Sequence, residues 1–430
     1  MRVIFLTITF YPEPNAIHGL PLAKALAARG FDVRVLTAFP QYPMGKLYPG
    51  YKMRPWMRET VDGISILRVP IYPSHDTSAI RRILTYLSFA FFASTIGVAL
   101  IGSADLVYLY DPPPTHGLAS LLLKLFRGTP IVHDIADMWP ETVIESGMVP
   151  GGEPVKKIMS SLIGAWCRFL YRQAYVVTVL SPGFKRLLME RGVPENKVKV
   201  IYNWADEETF RPVEPDPVLA RELGFEGRFN IVYAGNLGVY QGLETVIKAA
   251  ALIKDHRKIQ VVIVGVGPKE EELKQLASDL KVDNVLFLGR RSYEEMPNIN
   301  GLADALLTHL KDHAFLRATI PGKTQVSLAS GRPVLMAVRG DAADVIRESG
   351  GGVICEPENP EDMARAMVEL FSMTKNELEE MGRRGRQYYL DNLSLESAGR
   401  QIDDVFRAAC ARRPTASVVR PEVPSGVSSE

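Results

Sequence analysis

The sequence predicts an α/β protein with two doubly wound halves whose parallel sheets face a cleft. Short apolar runs rich in Val and Ile recur along the chain, and helical patterns separate them. This alternation indicates parallel strands covered on both faces. It stops over 203–228, where three prolines stand among acidic residues, and then restarts. With 430 residues, the chain is long enough for two such domains.

Each half contains a series of apolar runs at strand length. In the first half, the predicted strands cover 2–8, 32–37, 64–69, 105–110, 130–133, 175–180 and 197–201. In the second half, they cover 229–234, 259–264, 284–288, 303–308, 334–338 and 352–355. Helices are predicted between them, for example over 19–29, 243–254 and 269–280.

These elements define an N-terminal domain over 1–203 and a C-terminal domain over 204–393. A last amphipathic helix over 394–411 is predicted to pack back on the first domain. The segment 412–430 has no aromatic residue and many Ser, Pro and Val residues, so we interpret it as a disordered tail.

Composition argues against nucleic-acid binding and against a disulfide framework. Basic and acidic residues number 50 and 49, so the overall charge gives no indication of nucleic-acid binding. The three cysteines, Cys167, Cys355 and Cys410, are far apart, which argues against a disulfide framework and fits a reducing cytoplasm. The apolar start, 1–9, is interpreted as a buried strand and not as a signal peptide.

Two segments of the first half have features that suit a membrane surface. The uncharged run 83–101 follows Arg81 and Arg82 and is predicted to form a buried or membrane-touching helix. The segment 155–172 has an apolar face at helical spacing, which we expect to face the core. Its outward basic face, formed by Lys156, Lys157, Arg168 and Arg172, would then suit an anionic bilayer or would simply be solvated.

A candidate phosphate site follows a strand of the second half. Pro321 and Gly322 interrupt the chain, Lys323 opens a short helix, and Gly331 ends it. The free N–H groups of a helix N-terminus and a lysine in its first turn together favour an anion. The alternative is an ordinary connection with an exposed lysine.

A glycine-rich loop at 235–242 forms a second such corner at the same sheet edge. Gly235, Gly238 and Gly242 allow the backbone to approach a ligand, so the two corners together favour a diphosphate. The alternative is that these glycines serve only tight turns. A dinucleotide is less favoured, because Gly265 and Gly267 are followed by Glu270 where the third glycine of that fingerprint belongs.

In the first half, acidic residues and an aromatic residue follow a strand end. Asp134, Asp137 and Glu141 surround Trp139, and Asp111 ends the preceding strand. Carboxylates accept hydrogen bonds from sugar hydroxyls, and an indole ring covers the C–H face of a sugar. The alternative is a helix N-terminal turn stabilised by acids.

The chain resembles the GT-B retaining glycosyltransferases of glycosyltransferase family 4, over about 1–412. It is most similar to the bacterial surface-polysaccharide branch, which includes N-acetylfucosaminyl transferases of O-antigen and capsule assembly. The motifs that carry the resemblance are DMWPE at 137–141, NWAD at 203–206, AGNLGVYQGLET at 234–245, PGKTQVSLASGRPVL at 321–335 and GDAADVI at 340–346.

The resemblance implies transfer of an N-acetylated amino or deoxyamino sugar from a UDP-type donor to a lipid-linked saccharide, with retention and without a metal or cofactor. It implies a cytoplasmic enzyme bound to the inner membrane surface. Lys323, Asp134 and Asp137 are the implied catalytic residues. The implied donor-binding residues are Gly19, Gly235, Asn236, Gln241, Lys323 and Gln325. The implied acceptor-binding residues are Asp111, Trp139 and Glu141.

The chain departs from the family pattern at several positions. Asn236 and Gln241 stand where much of the family has Arg and Lys, and Ala318 and Val326 stand where it has a pair of glutamates. Gln325 is a candidate replacement in ribose recognition. A sugar-nucleotide epimerase and a non-catalytic subunit of a polysaccharide assembly complex remain alternatives, and the missing glutamates favour the second.

Overall fold

A computed structural model describes residues 1–14, 17–74, 78–145 and 152–411. The segment 412–430, for which a disordered tail was predicted, lies outside these residues. The model contains two parallel sheets with helices on both faces, which confirms the predicted fold class.

The first sheet has eight strands in the order β3-β4-β2-β1-β5-β6-β7-β8. Its strands are β1 (Arg2–Leu6), β2 (Asp32–Ala38), β3 (Met57–Val61), β4 (Ile64–Val69), β5 (Leu106–Asp111), β6 (Ile131–Ile135), β7 (Val176–Val179) and β8 (Val198–Val200). The sequence prediction missed β3, which pairs antiparallel to β4 at the edge. Its residues alternate between half-buried and exposed, so β3 has no apolar run.

The second sheet has six strands in the order β11-β10-β9-β12-β13-β14, and every pairing is parallel. Its strands are β9 (Phe229–Ala234), β10 (Ile259–Val264), β11 (Val285–Gly289), β12 (Ala305–His309), β13 (Val334–Ala337) and β14 (Gly352–Ile354). Each sheet reverses its strand order beside its first strand, and such a switch point opens a crevice at the carboxyl ends of the strands.

Helices cover both sheets. In the first half they are α1 (Leu20–Ala28), α2 (Ala79–Phe92), α3 (Val98–Leu100), α4 (Gly117–Arg127), α5 (Glu141–Glu145), α6 (Glu153–Gln173) and α7 (Pro182–Glu190). The others are α8 (Pro217–Glu222), α9 (Glu244–Leu252), α10 (Glu270–Asp279), α11 (Met296–Gly301), α12 (Ala314–Arg317), α13 (Gly322–Ala329), α14 (Asp341–Ser349), α15 (Pro360–Ser372), α16 (Lys375–Asn392) and α17 (Leu395–Ala411).

The chain crosses between the two cores twice. Trp204 packs in the core of the first sheet, whereas Ala205 and Phe210 pack in the second half. On the return, Leu393 packs in the second half. The following helix, α17, then packs on the first sheet, where the Phe406 ring lies 5.5 Å from those of Phe31 and Tyr108.

A buried hydrogen-bond network joins the two crossings. The Tyr389 hydroxyl accepts from the Ala205 N–H over 3.1 Å and donates to Glu207 Oε1 over 2.7 Å. The same carboxylate oxygen accepts from the Leu395 N–H over 2.8 Å. Because Tyr389 is fully buried, these bonds are shielded from water.

A second contact between the halves lies at the start of α7. The Asp341 carboxylate accepts from the Gly183 N–H and pairs with Arg186 at 2.8 Å. The Ser181 hydroxyl donates to the Ala318 carbonyl oxygen. A negative charge at the N-terminus of α7 is favourable, so this contact holds the two halves together at one end of the cleft.

The structure corrects the prediction for α6. The buried residues of this helix are Gly164, Cys167, Leu170 and Tyr171. The apolar side chains expected to face the core are partly exposed, with Val155, Ile158, Leu162 and Phe169 among the exposed ones. Leu170 packs inward as predicted, whereas most of the other apolar side chains of the expected face remain in contact with solvent.

The apolar run 83–101 lies in a continuous helix, Ala79–Leu100, of which a π-helical segment, Ala93–Gly97, is part. By length and composition alone, this helix could span a membrane, with a mean hydropathy of 1.9. In its most apolar 18 residues, 39% are buried, and the others keep at least partial contact with solvent.

We predict that Tyr389→Phe lowers the free energy of unfolding by about 1–3 kcal/mol, because it leaves the buried Ala205 N–H without its acceptor. Thermal unfolding of the full chain would measure the change. The neighbouring variant Tyr388→Phe is a matched control, since its hydroxyl bonds an exposed Glu348 carboxylate. Equal melting temperatures for Tyr389→Phe and the wild type would contradict the prediction.

Candidate active site

A cavity of about 530 Å³ lies at the carboxyl ends of the second sheet; we call it the second-half cavity. The segments that follow β9, β10 and β11 contribute to its lining, as do residues of α11 and α13. The volume is typical of small-molecule sites, which in doubly wound sheets lie at this edge. Three of the predicted residues, Gly235, Asn236 and Lys323, line it.

Lys323 lies in the first turn of α13 and is half-buried. Its Nζ donates to the Tyr233 hydroxyl and lies 3.7 Å from the ring centre. That hydroxyl donates to the Asn236 carbonyl oxygen over 2.8 Å. Burial lowers the pKa of Lys323 to about 7, and no carboxylate in the described ranges offsets this effect. An anionic ligand would therefore stabilise the charged form of Lys323.

Two glycines allow the lysine to approach the backbone. Gly235 has a φ of +145°, and a Cβ there would lie 2.8 Å from Nζ of Lys323. Gly265 has a φ of +137°, and a Cβ there would collide with the carbonyl oxygen of Gly235. Any side chain at either position would be strained and would displace the lysine or the loop.

Two arginines that sequence reasoning missed also line the second-half cavity. Arg290 is exposed, and Arg291 lies 3.6 Å from Glu295 with its Nε atom buried and unpartnered. They follow β11 directly, and two arginines after a strand resemble a solvated loop in the sequence. Their position directly after β11, which pairs with β10, could have identified them, because it places them at the carboxyl edge of the sheet. The two arginines supply positive charge to the cavity, which the neutral Asn236 side chain does not.

One wall of the cavity differs from the glutamate-bearing wall that the resemblance implies. Val326 and Ser327 line it beside Asn300, whose amide oxygen is buried without a partner. Gln325, the expected ribose contact, does not line the cavity. It is 2% exposed, and its Oε1 atom is buried, because the helix turns this side chain into the protein. Ser327 and Asn300 are the polar groups available instead.

The remaining two expected donor residues lie outside the cavity. The backbone carbonyl oxygen of Gln241 lies 2.7 Å from Nδ1 of His309. Nε2 of the same ring accepts from the Glu358 N–H. Gln241 therefore fixes the loop and does not line the cavity. Gly19 is buried at the start of α1, where its carbonyl oxygen accepts from the Ala23 N–H.

At the carboxyl edge of the first sheet, His18 forms a buried cluster that sequence reasoning missed. Its ring stacks on Tyr110 with centroids 4.2 Å apart, and Nε2 lies 3.1 Å from Asn203 Oδ1. Its Nδ1 lies 3.3 Å from Asp134 Oδ2. Burial lowers the pKa of His18. Asp134 also accepts from Thr178 and is 8% exposed, so it positions His18 and is largely shielded from a sugar.

The structure places the expected acceptor residues in internal contacts. Asp111 is 3% exposed and lies 3.0 Å from His133 Nε2. Trp139 is 7% exposed and packs against Tyr86. Glu141 pairs with Arg191 at 2.7 Å. These three residues do not line the cavities at the two sheet edges.

Asp137 differs from these residues, because it lines a cavity of about 410 Å³ at the same edge; we call it the first-half cavity. Burial raises the pKa of Asp137, and the neighbouring Asp111 carboxylate raises it further. Tyr110 lines the same cavity, and burial raises the pKa of its hydroxyl. The first-half cavity therefore offers hydrogen-bonding groups with weakened acidity.

Comparison with known proteins identifies the family. Residues 18–204 match the "Glycosyl transferase 4-like domain", and residues 218–388 match "Glycosyl transferases group 1". The first range contains β2 to β8, and the second contains β9 to β14. The chain is a GT-B glycosyltransferase of the group 1, family 4-like type.

Relatives of this glycosyltransferase act in several pathways. A glycosyl transferase of Escherichia coli K12, named WcaI and assigned to colanic acid biosynthesis, is 27% identical over 94% of this chain and 100% of its own. The N-acetyl-alpha-D-glucosaminyl L-malate synthase of Bacillus anthracis is 24% identical over 93% of this chain and 95% of its own.

Solved structures share the fold. The Anabaena protein HepE in complex with UDP and glucose has a TM-score of 0.63 at 15% identity, covering 94% of this chain and 99% of its own. A UDP-forming trehalose-phosphate synthase of Burkholderia vietnamiensis has a TM-score of 0.67 at 12% identity, covering 95% of this chain and 100% of its own. Both likenesses support the two-domain fold.

The pKa of Lys323 predicts a pH dependence of anion binding. A bound diphosphate raises this pKa, so binding takes up a proton when the free lysine is neutral. Affinity for UDP-glucose, which has no phosphate group titrating in this window, should be full below about pH 7 and fall by up to about tenfold per unit above it. Calorimetry in buffers of different ionisation enthalpy would detect the proton.

The variant Lys323→Met is the control, because it removes the titrating group while keeping much of the side-chain volume. Its weaker binding should not change with pH over the same window. A wild-type affinity that stays constant from about pH 7 to about pH 9 would contradict this assignment.

Proposed function

We propose that this glycosyltransferase moves a sugar from a UDP-type donor to a lipid-linked saccharide, with retention of configuration and without a metal ion. The observation that carries the proposal is Lys323, whose charge no carboxylate offsets in the second-half cavity. The N-terminus of α13 and the two arginines after β11 add positive potential at the same place. Together these groups suit a diphosphate.

The chemistry would consist mainly of stabilising the leaving group. The acceptor oxygen bonds to the anomeric carbon while the bond from that carbon to the phosphate oxygen breaks. The acceptor proton passes to the departing phosphate on the same face of the sugar. Lys323 would hold the charge that develops on the phosphate, and this interaction strengthens as the bond breaks.

UDP is the nucleotide that the structural neighbours favour, since HepE binds UDP and UDP-glucose. An N-acetylated amino or deoxyamino sugar follows from the resemblance to the N-acetylfucosaminyl transferase branch. Within the second-half cavity, Ser327 and Asn300 would hydrogen-bond the nucleoside, because Val326 offers no polar atom.

A membrane location for the acceptor is supported by exposed apolar side chains on three neighbouring helices, α2, α4 and α6. We call this surface the apolar three-helix face. On α2 the residues recur at helical spacing, which places them on one side of the helix. The face consists of Ile80, Leu84, Leu87, Phe91, Leu118, Leu125, Phe126, Val155, Ile158, Leu162 and Phe169.

Exposed apolar side chains on neighbouring helices mark a candidate interaction site, and basic residues on α6 fit an anionic bilayer. Lys157, Arg168 and Arg172 are exposed, and Lys156 is half-buried. Each basic residue near anionic lipid contributes about 1 kcal/mol. WcaI in colanic acid synthesis and WaaG in lipopolysaccharide synthesis support an acceptor of surface-polysaccharide assembly. The enzyme would act in the cytoplasm, on the inner face of the plasma membrane.

We predict that Lys323→Ala lowers kcat/KM at least roughly 100-fold, because a charge-assisted contact to the leaving phosphate contributes about 2–4 kcal/mol in the transition state. The assay uses UDP-sugars with a membrane extract and measures transfer to lipid. Lys248→Ala, which removes an exposed lysine of α9, is the matched control.

The same assay separates the alternatives. Turnover of the Lys323→Ala variant at the wild-type rate would remove Lys323 from the site. A changed sugar without transfer would indicate an epimerase. Failure of both transfer and UDP binding in the wild type would indicate a non-catalytic subunit.

We predict that replacing Ile80, Leu84, Leu87 and Phe91 by Gln weakens binding to phosphatidylglycerol liposomes by roughly tenfold or more, because their apolar area then stays in contact with water. Co-sedimentation measures the binding. Replacing Lys156, Lys157, Arg168 and Arg172 by Gln should remove mainly the part of the affinity that salt weakens.

A matched control changes Leu252, Leu280 and Leu390 to Gln, since these exposed leucines lie in the second half. UDP binding should survive in all three variants. If the wild type does not bind anionic liposomes at low salt, the membrane proposal is wrong. If the wild type can be extracted only by detergent, the helix Ala79–Leu100 is inserted and the peripheral location is wrong.

A further inference from the structure

The first-half cavity contains a cation that the proposed transfer step does not use. Arg82 lines this cavity from α2 and is half-buried. It has no side-chain hydrogen bond or ion pair with the residues the structure describes. Other arginines of this half are satisfied: Arg68 pairs with Glu59, and Arg191 pairs with Glu141. A guanidinium without an ion-pair partner in a cavity favours an anion that accepts two parallel hydrogen bonds, such as phosphate.

Two further polar groups on the same lining lack partners. Gln41 and Ser74 are 5% and 9% exposed, and the amide oxygen of Gln41 and the hydroxyl of Ser74 are buried without a hydrogen bond. Buried polar groups without partners are uncommon and call for an explanation. The Ser74 hydroxyl can donate to a phosphate oxygen, whereas the Gln41 amide oxygen needs a donor such as a sugar hydroxyl.

Asp137 is the acidic residue of the lining, and it enters from the segment after β6, whereas Arg82 enters from α2. Charges of opposite sign therefore enter the cavity from different elements. The carboxyl group suits a sugar hydroxyl and the guanidinium suits a phosphate. A volume of about 410 Å³ accommodates a molecule of drug-fragment size or larger. A sugar that carries a phosphate presents both groups.

The helix α2 separates this cavity from the apolar three-helix face. Arg82 and Thr85 lie on its cavity side, and Ile80, Leu84 and Leu87 lie on its exposed side. The two sides are one helix diameter apart, roughly 10 Å. One lipid-linked molecule could therefore contact both sides of α2, with its lipid chain on the apolar three-helix face and its phosphate inside the cavity.

We propose that Arg82 binds the phosphate that joins the acceptor saccharide to its lipid, with the Ser74 hydroxyl as a supporting donor to the phosphate and the Gln41 amide oxygen as an acceptor for a sugar hydroxyl. This inference rests on the proposed function and adds the acceptor's phosphate to it. The first-half cavity would then recognise the acceptor at both ends of its sugar, with the phosphate at Arg82 and a hydroxyl at Asp137.

Binding of the phosphate is tested on full-length enzyme saturated with UDP, so that the second-half cavity is occupied. Calorimetry with geranyl diphosphate should show binding to the wild type and a loss of about tenfold or more in Arg82→Gln. Geraniol, which lacks phosphate, should bind weakly to both. Arg81→Gln, which changes the adjacent exposed arginine, should bind like the wild type. Arg82→Lys should be intermediate, because it keeps the charge and loses the bidentate geometry.

Transfer kinetics provide the second readout. Two soluble acceptors share one sugar: a geranyl diphosphate-linked sugar and its methyl glycoside. Arg82→Gln should raise KM for the first about tenfold or more and leave the second unchanged. Equal losses with both acceptors, or equal geranyl diphosphate binding by Arg82→Gln and wild type, would overturn the proposal.

Two further outcomes are distinguishable. Inorganic pyrophosphate that binds as tightly as geranyl diphosphate would show a site for free phosphate, and this would overturn the lipid-linked assignment. Failure of the proposed function appears separately, as the absence of UDP binding and of donor hydrolysis in the wild type. In that case the geranyl diphosphate comparison still decides whether Arg82 holds a phosphate.

Discussion

The unneutralised charge of Lys323 is the constraint on which the organisation of the second half depends. Lys323 lies against the Tyr233 ring and hydroxyl, and burial lowers its pKa to about 7. It is therefore only partly protonated at neutral pH, and a nearby anion would stabilise its charged form. Gly235 and Gly265 are required because any Cβ there would occupy the space of the lysine or of the adjacent loop. The glycines at 235 and 265 leave room for the Lys323 side chain at the carboxyl edge of the sheet. The backbone of these loops therefore allows the lysine to contact an anionic ligand there.

The two halves are joined at two separate contacts, and both contain buried hydrogen bonds. The crossings at Trp204–Ala205 and Leu393–Leu395 are joined by the buried Tyr389 and the half-buried Glu207 side chains. At the other contact, the buried Asp341 carboxylate accepts from the buried Gly183 N–H and also pairs with the exposed Arg186. Water competes for the exposed arginine but not for the buried hydrogen bonds. Both contacts therefore hold the two halves together.

The sequence predicted the alternation and the fold class, because apolar runs and glycines are local signals. It missed β3, whose residues are half-buried or exposed, and it misplaced much of the apolar face of α6, where Leu170 packs inward as expected but Ile158 and Leu162 are exposed. Asp134 was expected after a strand and lies within β6 instead. The partners of the acids were also missed: Asp111 lies 3.0 Å from His133, and Asp134 lies 3.3 Å from His18. Such pairing depends on side chains far apart in sequence, which local patterns cannot reveal.

The distribution of titratable groups distinguishes positioning from acid–base catalysis. In the first half, His18 and His133 are buried and each lies within 3.3 Å of a carboxylate. Burial lowers the pKa of His18. A general base must reach the proton that it removes, but the two histidine rings are enclosed and do not line a cavity. Among Asp111, Asp134, Asp137 and Glu141, only Asp137 lines the first-half cavity. An epimerase would need bases exposed to the sugar on both faces, so the arrangement favours a transfer reaction driven by leaving-group stabilisation, in which the first half orients the acceptor.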